Sequence, residues 1–409
     1  MVNITPANPN SLLLDVYGSL NITLLAGPNG SGKTALLSFI AQLFHNLQRF
    51  PERVTGAFEI TYESYDSEAG WQKCTLSRNL VDNRIHLNVH DIVAGYVARE
   101  TVNGPPATIS PETLIYDDIR HYLPANIIVS GFSLHGEYPS PRPPNFLGDE
   151  PLTIYDTKNL YGHNHYGFPS FSTGIRRLML LVEQRANGVI ELENLLGGKF
   201  TGRVATVNKP SSISYSSTSQ DWQSFSKELA ADEQEGRIYL NDFEIETASG
   251  PITLSNMSSG QKMLFVRLLS VLSKIKHGSV VLIEEPELHL DPSWTRQLIT
   301  LFLLFFSEFR AHFIIATHSF SLINALPSEC VLVARNGYFD TPTQETFLAN
   351  EATLAWTIFA ARPNLVEQLL YSNIETASRQ ELEILLDKVG ESAVRFEVFR
   401  KLRRMEGDK

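Results

Sequence analysis

The segment from residue 27 to residue 34 has residue types and a spacing suited to holding phosphate groups. It reads GPNGSGKT, the pattern GxxxxGK[ST], and lies between an apolar strand pattern and a helix pattern. Glycines let backbone N–H groups close around phosphate oxygens, and the start of the following helix favours an anion. A purely structural glycine-rich turn is the alternative. We predict an ATP site whose loop consists of Gly27, Pro28, Asn29, Gly30, Ser31, Gly32, Lys33 and Thr34.

Two residues of this loop have chemical roles of their own. We expect Lys33 to reach the outer phosphates with its ammonium group and Thr34 to supply a hydroxyl ligand to Mg²⁺. The sequence therefore indicates ATP and Mg²⁺ as cofactors.

Two adjacent carboxylates, Glu284 and Glu285, end a second apolar run in the stretch SVVLIEEPELHLDP. Ligands bind at the carboxyl ends of strands in open α/β sheets, and paired acids there are costly unless they have a task. We expect Glu284 to hold Mg²⁺ through water and Glu285 to orient or deprotonate the attacking water. Taken alone, the pair could also be a solvated strand end.

His318 directly follows a third apolar run, HFIIATH, about thirty residues after the acid pair. On a parallel neighbouring strand, its imidazole would lie near the γ-phosphate or the attacking water. A lone histidine in isolation would more often be structural. Its place after the acid pair favours the functional interpretation.

The stretch LSNMSSGQKMLFVRLLSVL places Ser259, Gly260 and Gln261 at the beginning of a helix with clear apolar spacing. Exposed amides at a helix start bind anions, so these residues are further candidates for contact with nucleotide. An ordinary helix N-cap is the alternative. Their position shortly before the acid pair favours nucleotide contact.

Composition excludes several classes of protein. The chain has 409 residues, 43% hydrophobic and 19% charged, as expected for an ordered globular protein. The longest apolar stretch, 298–306, is too short to cross a bilayer, and the N-terminal residues do not resemble a signal peptide. We therefore expect a cytoplasmic protein without a membrane partner. Two cysteines, Cys74 and Cys330, are too few for a disulfide framework. The net charge of -11 works against indiscriminate binding to nucleic acid.

The apolar patterns also predict the elements that position these residues. Buried strands are predicted at 19–27, 125–132, 279–285, 312–318 and 330–335, with helices after the glycine-rich loop, at 175–196, from Gln261 and at 298–306. Their alternation favours a parallel sheet covered by helices, with antiparallel strands between 54 and 91. Loops or irregular chain are predicted at 103–111, 136–167 and 211–220. The last of these is a Ser-rich stretch, and we expect a further helix after it.

The order GPNGSGKT, MSSGQ, VVLIEEPELHL, ATHS resembles the ABC-type ATPases, and within them the SMC/RecF/OLD-like group. This resemblance implies an α/β fold: an ABC-type head with a mostly parallel core sheet, an antiparallel β lobe, a helical insertion and a C-terminal helical appendage. It also implies that Ser259 and Gly260 face the γ-phosphate bound by an opposite protomer, with His289 and Asp291 at the dimer seam. The expected divisions are 1–135 and 246–340 for the two parts of the head, 136–245 for the insertion and 341–409 for the appendage.

The sequence departs from this family at two points. The first acid is Glu284 where Asp is usual. No Gln follows the strand at 125–132, where Ser130, Ser133 and His135 lie instead, so that metal contact is unassigned. A short helical arm within 171–235 is one interpretation of the insertion, and no heptads indicate a long coiled coil.

Two functions follow from the resemblance. In the first, ATP closes a homodimer or a higher even-numbered homo-oligomer, which controls a separate effector protein, a nuclease or toxin, in bacterial anti-phage defence. In the second, a RecF-like repair ATPase binds DNA across the closed dimer. A transporter subunit fits the motifs but not EEPELHL and the long insert.

The C-terminal segment offers no metal-binding DxD pair for a nuclease of its own. It is amphipathic, and its apolar residues could pack on the head or on a partner. It also holds a basic group, Arg395, Arg400, Lys401, Arg403 and Arg404, for which a solvated helix face is favoured.

Overall fold

A computed structural model describes most of the chain. The described residues are 21–49, 53–66, 70–79, 85–93, 96–97, 107–109, 122–131, 138, 152–156, 169–208, 212–216, 238–335, 337–359, 365–390 and 392–407.

The described strands, in chain order, are β1 Asn21–Ala26, β2 Phe58–Asp66, β3 Gly70–Arg78, β4 Ile85–Val93, β5 Tyr96–Val97, β6 Ala107–Ile109, β7 Ile127–Gly131, β8 Leu152–Asp156, β9 Gly198–Asn208, β10 Ser212–Ser216, β11 Ile238–Thr247, β12 Gly250–Thr253, β13 Val280–Glu284, β14 His312–Thr317, β15 Val331–Arg335 and β16 Tyr338–Asp340. The described α-helices are α1 Lys33–Arg49, α2 Pro169–Glu183, α3 Asn187–Leu196, α4 Ser259–Lys274, α5 Pro292–Phe306, α6 Phe320–Ile323, α7 Glu351–Thr357, α8 Leu365–Thr376, α9 Arg379–Lys388 and α10 Ala393–Gly407.

The central sheet has seven strands in the order β16-β15-β1-β14-β13-β7-β8. All its pairings are parallel except that of β16 with β15. Parallel strands buried on both faces are read as continuous apolar runs, which is what β1, β13 and β14 show. The predicted α/β class with a mostly parallel core sheet is confirmed.

Alternate residues of these strands enter two cores on opposite faces of the sheet. Leu24 of β1 joins a core built with α2, α3, α4 and α5, whereas the adjacent Leu25 packs towards α1 and the β2–β4 sheet. The same alternation holds in β14, where Phe313 and Ile315 face the helical side and Ile314 the other. Side chains of a strand point alternately to its two faces, so both faces must be covered by other elements.

Two antiparallel sheets cover parts of the two faces. Strands β2, β3 and β4 pair in sequence, as the alternation between 54 and 91 predicts. The second sheet, β10-β9-β11-β12, was not predicted as a unit. It contributes Phe200, Val204 and Phe243 to the core on the helical side, where Phe243 stacks edge-on against Phe265 with a centroid distance of 4.9 Å.

Three segments predicted as irregular contain strands. Leu152–Asp156 pairs with β7 in the central sheet, Ser212–Ser216 pairs with β9, and Ala107–Ile109 pairs with β4. These predictions were wrong because pairing with a neighbouring strand overrides the weak local preference of Pro-, Ser- and Tyr-rich chain. The helix expected after the Ser-rich stretch lies outside the described residues.

The helices at 169–196 do not form an arm. Ile175, Met179, Val189 and Leu192 are fully buried in the head core, and Gly174 of α2 lies so close to α4 that an added Cβ would stand 2.4 Å from the Leu269 carbonyl oxygen. Among the residues that the structure describes, no helix is both long and apolar enough to cross a membrane.

The last three helices have a small core of their own. Ile374, Leu382, Val394 and Val398 are buried together, with Leu370 and Leu385 partly buried against them. Of the two predicted alternatives, packing on the head or on a partner, neither describes these residues, because helices α8 to α10 bury them against one another. Other apolar side chains of this unit, Leu365, Leu369, Ile384, Phe396 and Phe399, are exposed.

Candidate functional site

Three neighbouring strands bring the motifs together at one edge of the central sheet. Ala26 of β1 is in register with Thr317 of β14, and Ala316 is in register with Glu284 of β13. The phosphate loop, the acid pair and His318 therefore leave the sheet side by side, where ligands bind in this class of fold.

The glycine-rich loop has the conformation that a phosphate-binding loop requires. Gly27, Gly30 and Gly32 have φ values of 144°, 75° and 98°, which only glycine adopts readily. A Cβ on Gly27 would stand 2.7 Å from the Ala334 carbonyl oxygen of β15, so glycine is also required for close approach.

Lys33 is held inside this loop. Its Nζ donates to the carbonyl oxygens of Gly27 at 2.7 Å and Pro28 at 2.9 Å. Burial lowers the pKa of Lys33 to about 8, while the nearby Glu285 and Glu287 carboxylates oppose that shift. A partly desolvated cation at the mouth of a glycine-rich loop is suited to receive an anionic ligand.

Glu284 is almost completely buried at the end of β13. Neither of its carboxylate oxygens meets hydrogen-bond geometry with another described residue. The Tyr138 hydroxyl is the polar group beside it: burial, and then the nearby Glu284 carboxylate, raise the pKa of Tyr138. The Ser31 hydroxyl is likewise buried without a hydrogen-bond partner among the described residues. Buried polar atoms are normally paired, so a carboxylate and a hydroxyl left this way fit a bound cation and its ligands.

Glu285 has a strained backbone that two hydrogen bonds hold in place. Its φ is 41°, which is uncommon for a residue with a side chain. Its N–H donates to the Ala316 carbonyl at 2.8 Å, and its carbonyl accepts from Arg267 Nη2 at 3.0 Å. The side chain points to the cleft, where Glu285 Oε1 lies 3.2 Å from His318 Nε2. The two residues, each predicted to act near the attacking water, therefore lie in contact with one another.

Sequence reasoning missed Glu287 and Arg267. Glu287 Oε1 accepts hydrogen bonds from the Thr317 hydroxyl at 2.5 Å and from the His318 N–H at 3.0 Å. Arg267, from α4, is fully buried behind the acid pair, and burial lowers its pKa against the attraction of Glu287 and Glu285. An arginine within the apolar run LFVRLLSVL was the available signal, because a helix that is apolar all round buries every position.

An open cleft of about 670 Å³ separates the loop from the acid pair. This volume is within the range of small-molecule sites. Phe39 and Gln42 of α1 form part of its wall, and neither was predicted. Of the predicted site residues, those lining the cleft are Asn29, Gly30, Ser31, Gly32, Lys33, Thr34, Glu284, Glu285 and His318.

The start of α4 is not among the residues that line this cleft. Ser258, which sequence reasoning missed, is the N-cap: its hydroxyl accepts from Gln261 N–H at 3.3 Å, and Gln261 Oε1 accepts from Ser258 N–H at 3.0 Å. Ser259 is exposed, and a Cβ on Gly260 would lie 2.9 Å from the His289 carbonyl oxygen. Gln261 thus caps its own helix in the single chain.

Comparisons with known proteins agree with this geometry. A family profile described as "AAA domain, putative AbiEii toxin, Type IV TA system" matches residues 141–324. The match begins after the phosphate loop, so that loop is an independent observation. Over the matched residues the chain is similar to that AAA domain family. The Septu protein PtuA of Bacillus thuringiensis is 24% identical over 336 residues, which cover 77% of this chain and 70% of that protein.

Two of the solved structures to which this chain is similar are SMC heads. One is bound to the C-winged helix domain of ScpA (TM-score 0.38, 14% identity), and another is the SMC head domain from Thermotoga maritima (TM-score 0.37, 14% identity). Each comparison covers 78% of this chain and 88% of the solved chain. Because both TM-scores are below 0.5, neither similarity assigns a role to this chain.

The turn after the acid pair contains the N-cap of α5 and a contact with the start of α4. Asp291 is the N-cap of α5, and hydrogen bonds from the Ser293 hydroxyl and N–H lower its pKa. His289 has a φ of 67° and lies against the start of α4. Of the two residues expected at a dimer seam, His289 therefore lies next to the helix start expected there, and Asp291 follows two residues later.

Several cationic side chains outside the cleft bind carbonyl oxygens at helix ends. Arg177 donates to the Leu272 and Ile275 carbonyls at the end of α4. Arg395 donates to carbonyls at the end of α9, and Lys401 to those at the end of α8. These cations satisfy orphan carbonyls at helix ends, so a purely solvated face was wrong for Arg395 and Lys401.

Of the three polar residues at the position where the family has a Gln, the structure describes Ser130. Ser130 is buried in β7, and a Cβ on the next residue, Gly131, would lie 3.3 Å from Glu284 Oε2. Ser133 and His135 lie outside the described residues.

Proposed function

We propose that this protein binds and hydrolyses Mg²⁺-ATP at the cleft, and that two copies close over the nucleotides to control a separate effector protein. The observation that carries the proposal is the convergence of Lys33, Glu284, Glu285 and His318 on one cleft from three strands in register. ATP supplies an electrophilic γ-phosphoryl group, and Mg²⁺ neutralises developing charge on its oxygens.

Each residue has a task that follows from its surroundings. Lys33 would attract the outer phosphates, and the Thr34 hydroxyl and Glu284 would hold the metal, Glu284 through water. Glu285 would take a proton from the attacking water or orient it. His318, 3.2 Å from Glu285, would fix the position of that carboxylate.

Closure by a second copy is proposed from what the cleft lacks. The start of α4 presents exposed Ser259 and backbone amides, but does not line the cleft of its own chain. A helix start of this kind binds anions, so it would complete the site of a partner copy. His289, which lies against this helix start, and Asp291, two residues later, would lie at the seam between the two copies.

The experiment measures phosphate release and mass together. Wild-type protein should hydrolyse ATP only with Mg²⁺, Lys33→Ala should lose ATP binding, and Glu285→Gln should keep binding and form a larger, even-numbered species with ATP by light scattering. In a mixture of Lys33→Ala and Ser259→Arg, one working site per heterodimer should restore activity that neither variant has alone. Full activity from a demonstrably monomeric sample would refute the closure.

The biological part of the proposal is control of a nuclease or toxin in bacterial anti-phage defence. It is supported by the matched family, whose description names a putative toxin, and by the relation to the Septu protein PtuA. We expect a cytoplasmic protein that co-purifies with its effector. If the wild-type protein protects cells from phage and Lys33→Ala does not, this role is supported. Equal protection by the wild-type protein and Lys33→Ala would contradict it.

A second candidate is DNA binding by a RecF-like ATPase. One observation favours it: the outward face of α10 places Arg400, Arg403 and Arg404 beside the exposed rings of Phe396 and Phe399, with Arg403 5.3 Å from the Phe399 ring centroid. Arginine and aromatic side chains together suit nucleic acid. ATP-dependent DNA affinity that falls steeply with salt would favour this candidate.

A further inference from the structure

We infer that Glu287 is a positioning residue, which holds His318 at the distance from Glu285 that hydrolysis requires. The inference rests on the proposed ATPase function and assigns a task to a carboxylate that is not among the residues lining the cleft and does not belong to the acid pair.

The turn after β13 directs Glu287 towards the end of the next strand. Leu288 N–H donates to the Glu285 carbonyl at 3.0 Å, and Leu290 N–H donates to the Glu287 carbonyl at 2.9 Å. These tight turns reverse the chain, so the Glu287 side chain reaches the carboxyl end of β14 rather than the cleft.

At that end, one oxygen of Glu287 binds two donors. Oε1 accepts from the Thr317 hydroxyl at 2.5 Å and from the His318 N–H at 3.0 Å. Thr317 is fully buried, and its hydroxyl also accepts from the Ser319 N–H at 2.9 Å. The backbone on both sides of His318 is thus fixed by one carboxylate.

The imidazole of His318 is fixed at its other end by Glu285, whose Oε1 lies 3.2 Å from Nε2. Two carboxylates therefore hold the same histidine, Glu287 by the backbone and Glu285 by the ring. The positive groups Lys33 and Arg267 lie close enough to Glu287 to interact with its carboxylate. Without it, two donors would lose their acceptor, and the loop carrying His318 would rearrange to satisfy them.

The primary test replaces Glu287 by residues that do or do not keep the acceptor. Glu287→Met removes it with little change of volume, and should lower kcat at least about tenfold while KM and nucleotide Kd change less than about twofold. Glu287→Gln keeps an amide oxygen for both donors and should stay within about threefold of wild type. Glu308→Met, an exposed glutamate on the same domain, is the matched control. Equal loss in the Gln and Met variants would show that charge, not position, is what matters, and would overturn the inference.

A double-mutant cycle tests whether Glu287 acts through His318. If it does, Glu287→Met with His318→Ala should be no slower than His318→Ala alone, within about twofold. Losses that multiply would show an independent role and refute the positioning.

A spectroscopic arm separates this inference from the proposed function. In protein labelled at histidine, the ring signals lost in His318→Ala identify His318, and these should shift and broaden in Glu287→Met but not in Glu308→Met. If the wild-type protein fails to hydrolyse ATP, the proposed function is wrong, while unchanged His318 signals in Glu287→Met would separately refute the positioning.

Discussion

Ser258→Ala and Ser378→Ala make a matched pair that separates a structural cap from a catalytic contact. Each serine is the N-cap of a helix with a reciprocal capping box: Ser258 with Gln261 on α4, and Ser378 with Glu381 on α9. Each side chain accepts from the N–H three residues later, at 3.3 Å and 3.4 Å respectively, and each backbone N–H donates back, at 3.0 Å and 2.8 Å. The two caps share this pair of bonds, and the Ser378 hydroxyl in addition donates to Glu381 Oε2 at 2.7 Å. Only Ser258 adjoins the helix start, Ser259 and Gly260, that is proposed to face a partner's nucleotide.

The expected magnitudes differ by more than the uncertainty of either. Loss of a serine N-cap costs about 1 kcal/mol. Because both capping bonds are long and the reciprocal bond survives in alanine, we expect about 0.5–1 kcal/mol for each variant. That cost leaves a typical domain overwhelmingly folded. Loss of one positioned donor to a developing anionic charge instead costs about 100- to 1,000-fold in kcat, so only Ser258→Ala should lose hydrolysis on that scale.

Urea unfolding and steady-state phosphate release would measure both quantities on the same samples. For Ser378→Ala, the change should appear in the stability of the three C-terminal helices, with kcat within about twofold of wild type. If Ser258→Ala keeps kcat within about threefold of wild type and loses only stability, Ser258 is a cap alone, and a contact of its hydroxyl with a partner's phosphate is refuted.

Further predictions concern the cleft and the absence of a second activity. ATP affinity of the wild-type protein should fall as pH rises above about 8, by up to about tenfold per pH unit, because the free protein loses the Lys33 proton there whereas bound phosphate keeps Lys33 protonated. In titrations with a fluorescent nucleotide, Lys33→Met should bind weakly, and its affinity should not change over this pH range. Glu284→Gln should raise the Mg²⁺ concentration for half-maximal phosphate release about tenfold and leave metal-free nucleotide binding unchanged, and an unaltered Mg²⁺ dependence would exclude Glu284 as a metal-holding group. The purified protein should leave plasmid, single-stranded DNA and RNA intact with Mg²⁺, Mn²⁺ or Zn²⁺; cleavage abolished by a substitution outside the ATP site would reveal a catalytic centre that we have missed.

The sequence predicted the elements whose signal is local. The apolar runs of β1, β13 and β14 specify buried parallel strands, and Lys33, Glu284 and His318 lie where such strands or the following loop end. Because carboxyl ends of parallel neighbours share an edge, their convergence on one cleft follows from topology without knowledge of any contact.

What the sequence did not predict depends on partners distant along the chain. β8 and β10 are only five residues long, lie within Pro-, Ser- and Asn-containing chain, and become strands by pairing with β7 and β9. Arg395 and Lys401 appeared solvated because their acceptors are carbonyls that helix packing brings close. Glu287 was overlooked because its donors are about thirty residues away in the sequence.

The position of β1 between β14 and β15 has a consequence for synthesis of the chain. The strand that leads into the phosphate loop is made early, but both of its neighbours in the sheet come later; the bond between Thr23 and His312, for example, spans 289 residues. At about 5–20 residues per second, a ribosome takes roughly 15–60 s to supply those neighbours. During that interval an apolar strand with two open edges must be kept from aggregating. The phosphate loop therefore cannot take its final form on a nascent chain until β14 and β15 have emerged, and shielding of β1 by a chaperone should raise the yield of ATP-binding protein.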